Sequence, residues 1–190
     1  MIDGKEYNTR DKILVELAWE GLTVDEMKNL KEQDIVFDKS SGSNIAKIKL
    51  ETRTVNVRNE GVVEDIKKTL RQTEYYLASK TGRKSQFRKY KETDYLIKVI
   101  NTNTSSKDTA SNLTQIMKKV LARVYVLPTV DLENLTLESI RRSRAIEMLK
   151  HNESLDDVQE FMGKKTSCDL YWLQELALKI NKMEGRIRMV

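Results

Sequence analysis

The stretch TLESIRRSRA occupies residues 136–145, and LDDVQEFMG follows at residues 155–163. The second block comes directly after Ser154, which with Asp157 three residues later has the spacing of a helix cap. These patterns predict one helix at about Leu137 to Lys150 and a second at Leu155 to Met162. The first helix carries arginines at positions 141, 142 and 144, so positive charge is concentrated on it.

Working outward from this helix pair, the preceding chain predicts two helices, a small meander and further helices. Apolar spacing places the first helix at Arg10 to Trp19, ended by Gly21, and Thr23 with Glu26 has capping-box spacing for the second. Alternating residues predict strands at Ile35 to Phe37, Ile45 to Leu50, Thr54 to Arg58 and Tyr95 to Val99. The other predicted helices run from about Val62 to Leu77, Thr109 to Tyr125 and Asp169 to Met183.

Composition and length indicate one helix-rich domain over residues 1–190. Charged residues make up 33% of the chain, hydrophobic residues 39%, and there is one proline. We therefore predict a mainly α fold with a small antiparallel β-sheet, of the α+β class. The single Cys168 and single His151 exclude a disulfide framework and a cysteine or histidine zinc cluster, so we expect neither a metal nor a cofactor.

No apolar run approaches the roughly 20 residues that cross a bilayer, and the N-terminus lacks the apolar core of a signal peptide. We therefore expect a cytoplasmic protein without membrane contact.

A net charge of +5 favours a polyanionic partner, and the distribution of the charge says more. Residues 79–91 read SKTGRKSQFRKYK, with six basic residues, no acidic one, and two aromatic residues among them. This stretch is either a solvated loop or a loop that contacts phosphates. Its candidate DNA-binding residues are Lys80, Arg83, Lys84, Arg88 and Lys89.

Five short blocks together resemble the catalytic domain of tyrosine recombinases, the phage-integrase family. EGLTVDEMKNL at residues 20–30 is similar to T-G-L-R-I-S-E-L-L-x-L, and LKEQDI at residues 30–35 to L-x-x-x-D-I. DYLI at residues 94–97 is similar to Y-L-F. The two opening blocks are similar to T-x-H-x-L-R-H-T-F-A and V-Q-x-x-L-G-H. Their joint order implies this family's fold and double-stranded DNA as the partner.

The resemblance also implies a catalytic site, in which a tyrosine attacks a DNA phosphate that two arginines, a lysine and two histidine-type residues stabilise. The family's first arginine falls on Thr23, a short neutral residue that cannot replace it. The histidine of H-x-x-R falls on Glu138, whose carboxylate repels phosphate. Arg141 is retained, while Arg142 and Lys164 stand where the other histidines would lie.

The remaining catalytic positions each leave two interpretations open. Tyr171 lies eight residues after Gly163, closer than the family's tyrosine commonly lies. It is therefore either a displaced nucleophile or a packed core or interface residue beside Trp172. Lys49, or else Lys47, lies on the hairpin that carries the family's lysine, yet either is equally well an ordinary solvent-facing lysine.

Arg144 stands where the family usually buries an aromatic residue. It is expected to extend outward, with its stem over apolar surface. It lies three residues from Arg141, so the two either grip a phosphate together or form ion pairs with Glu147 and Glu138.

The leading hypothesis is a DNA-binding protein on a catalytically inactive tyrosine-recombinase fold, similar to phage repressors or regulators built on such a scaffold. Its expected DNA contacts are Arg141, Arg142, Arg144, Lys164 and Lys165, together with the basic stretch. The alternative is an active or weakly active recombinase that cleaves through Tyr171.

A third hypothesis is an interaction module that self-associates through the C-terminal helix, which is rich in apolar residues at positions 170, 173, 176, 177, 178 and 180. The resemblance further implies a core-binding domain ahead of the catalytic one, and no such segment lies in these 190 residues. We expect either that Met1 begins a truncated piece or that the protein is a half-clamp.

Overall fold

The computed structural model describes residues 8–38, 44–77, 86–100, 107–124 and 133–187. Seven helices and five strands, with short 3-10 helices at Glu32–Asp34 and Cys168–Leu170, are defined in these ranges. The helices are α1 Thr9–Trp19, α2 Val24–Asn29, α3 Glu60–Arg71, α4 Ala110–Val124, α5 Leu137–Lys150, α6 Leu155–Met162 and α7 Tyr171–Ile187. The strands are β1 Ile35–Asp38, β2 Ile45–Lys49, β3 Thr54–Val57, β4 Glu74–Leu77 and β5 Gln86–Lys89. The predicted fold class is confirmed.

The predicted meander is an antiparallel sheet in the order β1, β2, β3. Ile35 lies opposite Ile48, and Ala46 lies opposite Val57. Because successive side chains on a strand point to opposite faces, Ala46 and Ile48 enter the core, and Lys49 lies on the exposed face. The sheet therefore covers one side of the helical core.

Helix α1 lies at the centre of the main core. Ile13, Leu14 and Leu17 are fully buried, and the helix packs against α3, α4 and α5. A smaller cluster joins α5, α6 and α7 through side chains such as Met148 and Leu173. Because α1 is buried on several sides, its sequence shows only a weak amphipathic pattern. The two clusters meet where α5 runs between them.

A second hairpin replaces the end of the predicted third helix. Helix α3 ends at Arg71 rather than continuing to Leu77, and β4 pairs with β5 in an antiparallel ladder. The side chain of Asn8 donates to the Tyr76 carbonyl at 2.8 Å and accepts from the Tyr76 N–H at 2.7 Å. Tyrosines favour strands, and this side chain satisfies the backbone of β4. The tertiary contact therefore overrides the helical spacing.

The strand predicted at Tyr95 to Val99 is wrong. Within the described residues, this segment makes only isolated bridges, between Lys31 and Tyr95 and between Tyr90 and Ile100. Leu96 and Val99 are nevertheless buried. The apolar run thus fills the core as an irregular segment rather than as a strand of a ladder.

No helix in the described part of the chain combines the length and the apolar character that crossing a bilayer requires.

Candidate functional site

The turn between α1 and α2 packs against the end of α6. Gly21 has φ +95°, and the Leu22 N–H donates to the Leu17 carbonyl at 2.9 Å, as in a Schellman motif. A Cβ atom on Gly21 would lie 2.7 Å from the Phe161 carbonyl oxygen. Glycine is therefore required here both by the left-handed backbone and by the close approach of α6.

Thr23 caps α2, as its spacing predicts. Its hydroxyl accepts from the Glu26 N–H at 3.1 Å, and the Glu26 carboxylate accepts from the Thr23 N–H at 2.6 Å. The capping box is complete, so the residue at the family's first arginine position has a structural role.

Arg141 of α5 is directed into the protein and is 2% exposed. Its Nε donates to the Gly21 carbonyl at 2.9 Å, and its Nη2 donates to the Met162 carbonyl at 2.7 Å. Its Nη1 pairs with Glu138, one turn earlier on the same helix. The predicted pair with Glu138 is therefore present, and the guanidinium joins the α1–α2 turn to the end of α6.

Arg53, just before β3, reaches the same place from the sheet. Its Nη2 donates to the Gly21 carbonyl at 2.8 Å, and its Nη1 donates to the carbonyls of Phe161 at 2.6 Å and Glu160 at 3.0 Å. Its Nε and Nη2 also donate to the two carboxylate oxygens of Glu26. All five N–H groups of this guanidinium thus have partners.

We call the set Gly21, Glu26, Arg53, Glu138 and Arg141 the arginine junction. It lies where the G-L-T, E-x-x-R and M-G-K segments meet, which is the place that the resemblance assigns to the catalytic residues. Sequence patterns did not point to Arg53, because a single arginine in a hairpin has no distinguishing pattern. Only the packing of the hairpin against α6 brings it here.

The charges in the arginine junction largely compensate one another. Burial lowers the pKa of Arg141, Glu138 opposes this effect, and the nearby charge of Arg53 adds to it. Burial by itself would raise the pKa of Glu26, but hydrogen bonds from Arg53 and from the Thr23 N–H outweigh it and lower that pKa. The carbonyls at the end of α6 add the negative end of the helix dipole. Two cations are therefore matched by two carboxylates and by carbonyls.

The hairpin lysines lie in acidic surroundings. Lys47 pairs with Asp38 at 2.8 Å. Lys49 is exposed and lines a cleft of about 570 Å³ beside α2. Its acidic lining residues are Asp25, Glu26, Asp34 and Glu51. This cleft therefore offers a phosphate more negative than positive charge.

Arg142 and Arg144 lie on the outside of α5, each beside a tryptophan. The Arg142 guanidinium lies 5.5 Å from the ring centre of Trp172, and the Arg144 guanidinium lies 5.6 Å from that of Trp19. Arg142 also lies 3.5 Å from Glu138. Arg144 is half-buried against Trp19, whereas Arg141 is buried.

The ion pair considered between Arg144 and Glu147 is not formed, because Glu147 pairs with Lys150 at 3.1 Å instead. Burial raises the pKa of Glu20, and the charge of Arg144 partly opposes that rise. Lys164 and Lys165 follow α6 and are exposed. Among the cations predicted near α5, Arg142 and these two lysines are exposed, and Arg144 is half-buried.

Tyr171 is the first residue of α7 and is 53% exposed. Its neighbours Leu170 and Leu173 are buried instead. The interpretation of Tyr171 as a core residue is therefore wrong, because Tyr171 does not lie on the buried face of the helix. Its possible roles as nucleophile or interface residue stay predictions.

The basic stretch is described only in part. Arg88 and Lys89 are exposed on β5, where Arg88 lies opposite Tyr75 and Lys89 lies opposite Glu74. This portion is an exposed strand, so it is not the loop that both interpretations assumed. The other candidates, Lys80, Arg83 and Lys84, lie outside the described residues.

No group of three or more His, Cys, Asp or Glu side chains that could hold a metal ion is present among the residues that the structure describes.

Solved structures similar to this fold are tyrosine recombinases. The crystal structure of XerA recombinase matches with a TM-score of 0.60 and 18% identity, covering 98% of this chain and 66% of that one. XerH site-specific recombinase bound to difH substrate, in a pre-cleavage complex, matches with a TM-score of 0.61 and 18% identity. That match covers 92% of this chain and 46% of XerH. The chain thus spans less than two thirds of these recombinases, and the likeness shows the fold alone.

A family model described as "MrpR, C-terminal catalytic domain" matches residues 1–167. No curated protein matches the sequence. The family match and the shared fold confirm the resemblance to the catalytic domain of tyrosine recombinases.

Proposed function

We propose that this chain, which belongs to the MrpR C-terminal catalytic domain family, binds double-stranded DNA without cutting it. We further propose that it acts as a phage or prophage transcriptional repressor or regulator. The observation that carries the proposal is the arginine junction, in which the guanidinium groups at the expected catalytic place are bonded to the protein itself.

Cleavage of a phosphodiester requires guanidinium groups whose N–H donors face the developing negative charge. All donors of Arg53 are occupied, and Arg141 is 2% exposed and bonded to two carbonyls and a carboxylate. A phosphate would have to displace the Gly21 carbonyl and compete with Glu138. The loss of these buried bonds opposes any such exchange.

DNA binding is supported by the cations that remain outside. Arg142, Arg144, Lys164 and Lys165 are grouped around α5 and the end of α6, and Arg88 and Lys89 lie on β5. Phosphate contacts of this kind supply affinity that depends little on base sequence. The XerH structures are complexes with difH substrate, and from that comparison we carry over only DNA binding.

The proposal is tested with a labelled duplex and a nicked trapping substrate. We expect binding that weakens linearly in log Kd against log salt, with a slope set by the number of phosphates contacted. We expect no covalent protein–DNA adduct on the nicked substrate after denaturing electrophoresis. A slope near zero, or no binding at low salt, contradicts DNA binding, and an adduct contradicts inactivity.

A second candidate function is weak recombinase activity through Tyr171. The exposure of this side chain favours it, since a nucleophile must reach DNA. It predicts an adduct with wild-type protein and none with Tyr171→Phe. An adduct that persists in Tyr171→Phe would assign the nucleophile elsewhere, and the absence of any adduct favours the leading proposal.

Self-association through α7 is a further part of the proposal. Trp172, Leu176 and Met183 are exposed and lie along one side of this helix, beside its buried face. Self-association would also increase the affinity for a duplex, because two linked copies bind it together. Light scattering with and without a duplex tests it, and Leu176→Glu should leave a monomer. A wild-type monomer at all concentrations contradicts it.

A further inference from the structure

Both tryptophans of the chain are surface residues in contact with an arginine. Trp19 at the end of α1 is 40% exposed, and Trp172 at the start of α7 is 47% exposed. Large aromatic residues more often bury most of their surface. Here each indole instead lies beside a guanidinium of α5, at 5.6 Å for Arg144 and 5.5 Å for Arg142.

The two arginine–tryptophan pairs lie on opposite sides of one helix. Arg142 and Arg144 are two positions apart, which turns them by about 200° around the axis of α5. Helices α1 and α7 both pack against α5, and each carries one of the two tryptophans. The exposed residue Ser143 lies between the pairs. The outer edge of α5 is thus bordered on each side by an arginine resting on an indole.

From this arrangement we propose that Trp19 and Trp172 are positioning residues that hold Arg144 and Arg142 as a two-pronged grip on the DNA backbone. The inference rests on the proposed DNA binding. The inference adds two uncharged residues, Trp19 and Trp172, to the proposed DNA-binding surface. These residues would fix the orientation of the arginines beside them. The ligand class is the phosphodiester of duplex DNA.

Stacking on an aromatic face suits an arginine that must also bind an anion. The contact uses the flat face of the guanidinium and leaves the N–H groups at its edge available for a phosphate. It also restricts a side chain that would otherwise lose much rotamer freedom on binding. Lysine lacks this planar group, so it cannot combine the two contacts in the same way.

The charges around the pairs also favour a phosphate. Glu138 lies 3.5 Å from Arg142 but also pairs with Arg141, so one carboxylate is shared between two cations and does not fully neutralise Arg142. Among the described residues, Arg144 forms no ion pair within 4.0 Å, and Glu20 acts on it only at longer range.

The first experiment uses each tryptophan as the sole fluorescent reporter of its kind. Trp19→Phe leaves Trp172 alone, and Trp172→Phe leaves Trp19 alone, since the chain has two tryptophans. A mixed-sequence duplex with an end label is titrated while its anisotropy and the tryptophan emission are both followed. We expect both emissions to change along the same binding curve as the anisotropy.

The second experiment removes the aromatic face. Trp19→Leu and Trp172→Leu should each weaken binding roughly two- to fivefold, the fold-change that corresponds to an exposed cation–π contact. The Phe variants should retain most of the affinity, because they keep a ring under the arginine. Val36→Ala, an exposed apolar residue on β1, is the matched control and should bind like wild type. Circular dichroism and thermal melting check the fold of every variant.

The outcomes separate this inference from the proposed function. No rise in anisotropy at low salt overturns both. Binding that leaves both tryptophan emissions unchanged, or Leu variants that match the Phe variants in affinity, overturns the positioning role and keeps DNA binding. Emission changes on addition of a protein partner, but not of the duplex, would assign the same surface to protein recognition and also overturn the proposal.

Discussion

The arginines of helix α5 lie in two different environments. Arg141 points inward and joins Arg53 in the arginine junction, where carbonyls and carboxylates occupy its donors. Arg142 and Arg144 point outward and rest on tryptophans. Neighbouring positions on α5 therefore hold the protein together in one case and face solvent in the other.

The difference shows that arginines close together on one helix can lie in opposite environments. Burial removes water from the guanidinium, so its hydrogen bonds must come from the protein. In the arginine junction these partners are the end of α6, the α1–α2 turn and two glutamates. Outside, the aromatic contact leaves the donors available. The following changes would separate the two regions.

The largest expected effect is that of Arg141→Met. Removing one partner of a buried ion pair and leaving the carbonyls of Gly21 and Met162 without a donor should destabilise the fold by about 3–5 kcal/mol. Arg142→Met is the matched control and should change stability by less than about 1 kcal/mol. Urea denaturation measures both. Equal midpoints for the two variants would contradict the claim that Arg141 stabilises the fold more than Arg142 does.

Gly21→Ala should follow in size. The new methyl group would meet the Phe161 carbonyl at 2.7 Å at φ +95°, so we expect a loss of roughly 2–4 kcal/mol. Gly185→Ala meets nothing within 4 Å in α7 and should be neutral or stabilising by about 0.5–1 kcal/mol. Thermal melting compares them. A stable Gly21→Ala protein would mean that α6 does not lie tightly on this turn.

Thr23→Ala should cost about 1 kcal/mol, since it removes the side-chain oxygen that caps α2. Thr23→Ser keeps that oxygen and should lose much less. Both are measured by denaturation midpoints. If the two variants are equally destabilised, the methyl group rather than the cap is what matters at the family's first arginine position.

On the outer side, Arg142→Ala and Arg144→Ala should leave stability nearly unchanged and weaken DNA binding. Each should reduce the steepness of log Kd against log salt by about 1, as expected for the loss of one phosphate contact. Anisotropy titrations from about 50 to 200 mM salt measure this slope. Unchanged slopes in both variants would place the DNA contacts elsewhere, for example at Arg88 and Lys89.

The smallest expected effect concerns the pH dependence from Glu26. Its folded pKa lies below the unfolded value of about 4.3, so ionised Glu26 stabilises the fold above that pH. That contribution is lost as pH falls through the folded pKa. Denaturation midpoints are measured from neutral to acidic pH. As the pH falls below about 4.3, the midpoint of Glu26→Gln should decrease less than that of the wild type. Parallel curves would contradict the ion pair with Arg53.

Local signals predicted most of the helices and the meander. Helix α6 begins after the predicted cap Ser154 and ends at Gly163, and α5 spans the predicted residues 137–150. The end of α3 was missed, because β4 depends on pairing with β5 and with the side chain of Asn8. The place of Arg53 was also missed, since a hairpin arginine has no periodic pattern to mark it.

The sequence by itself determined the fold class and the capping role of Thr23, because these depend on residue type and on near neighbours. The tertiary structure alone decided that Arg141 is buried and Arg142 exposed, that Arg53 and Arg141 share the Gly21 carbonyl, and that Tyr171 is exposed. The physical reason is that burial and hydrogen-bond partners come from segments far apart in the chain, which only packing brings together.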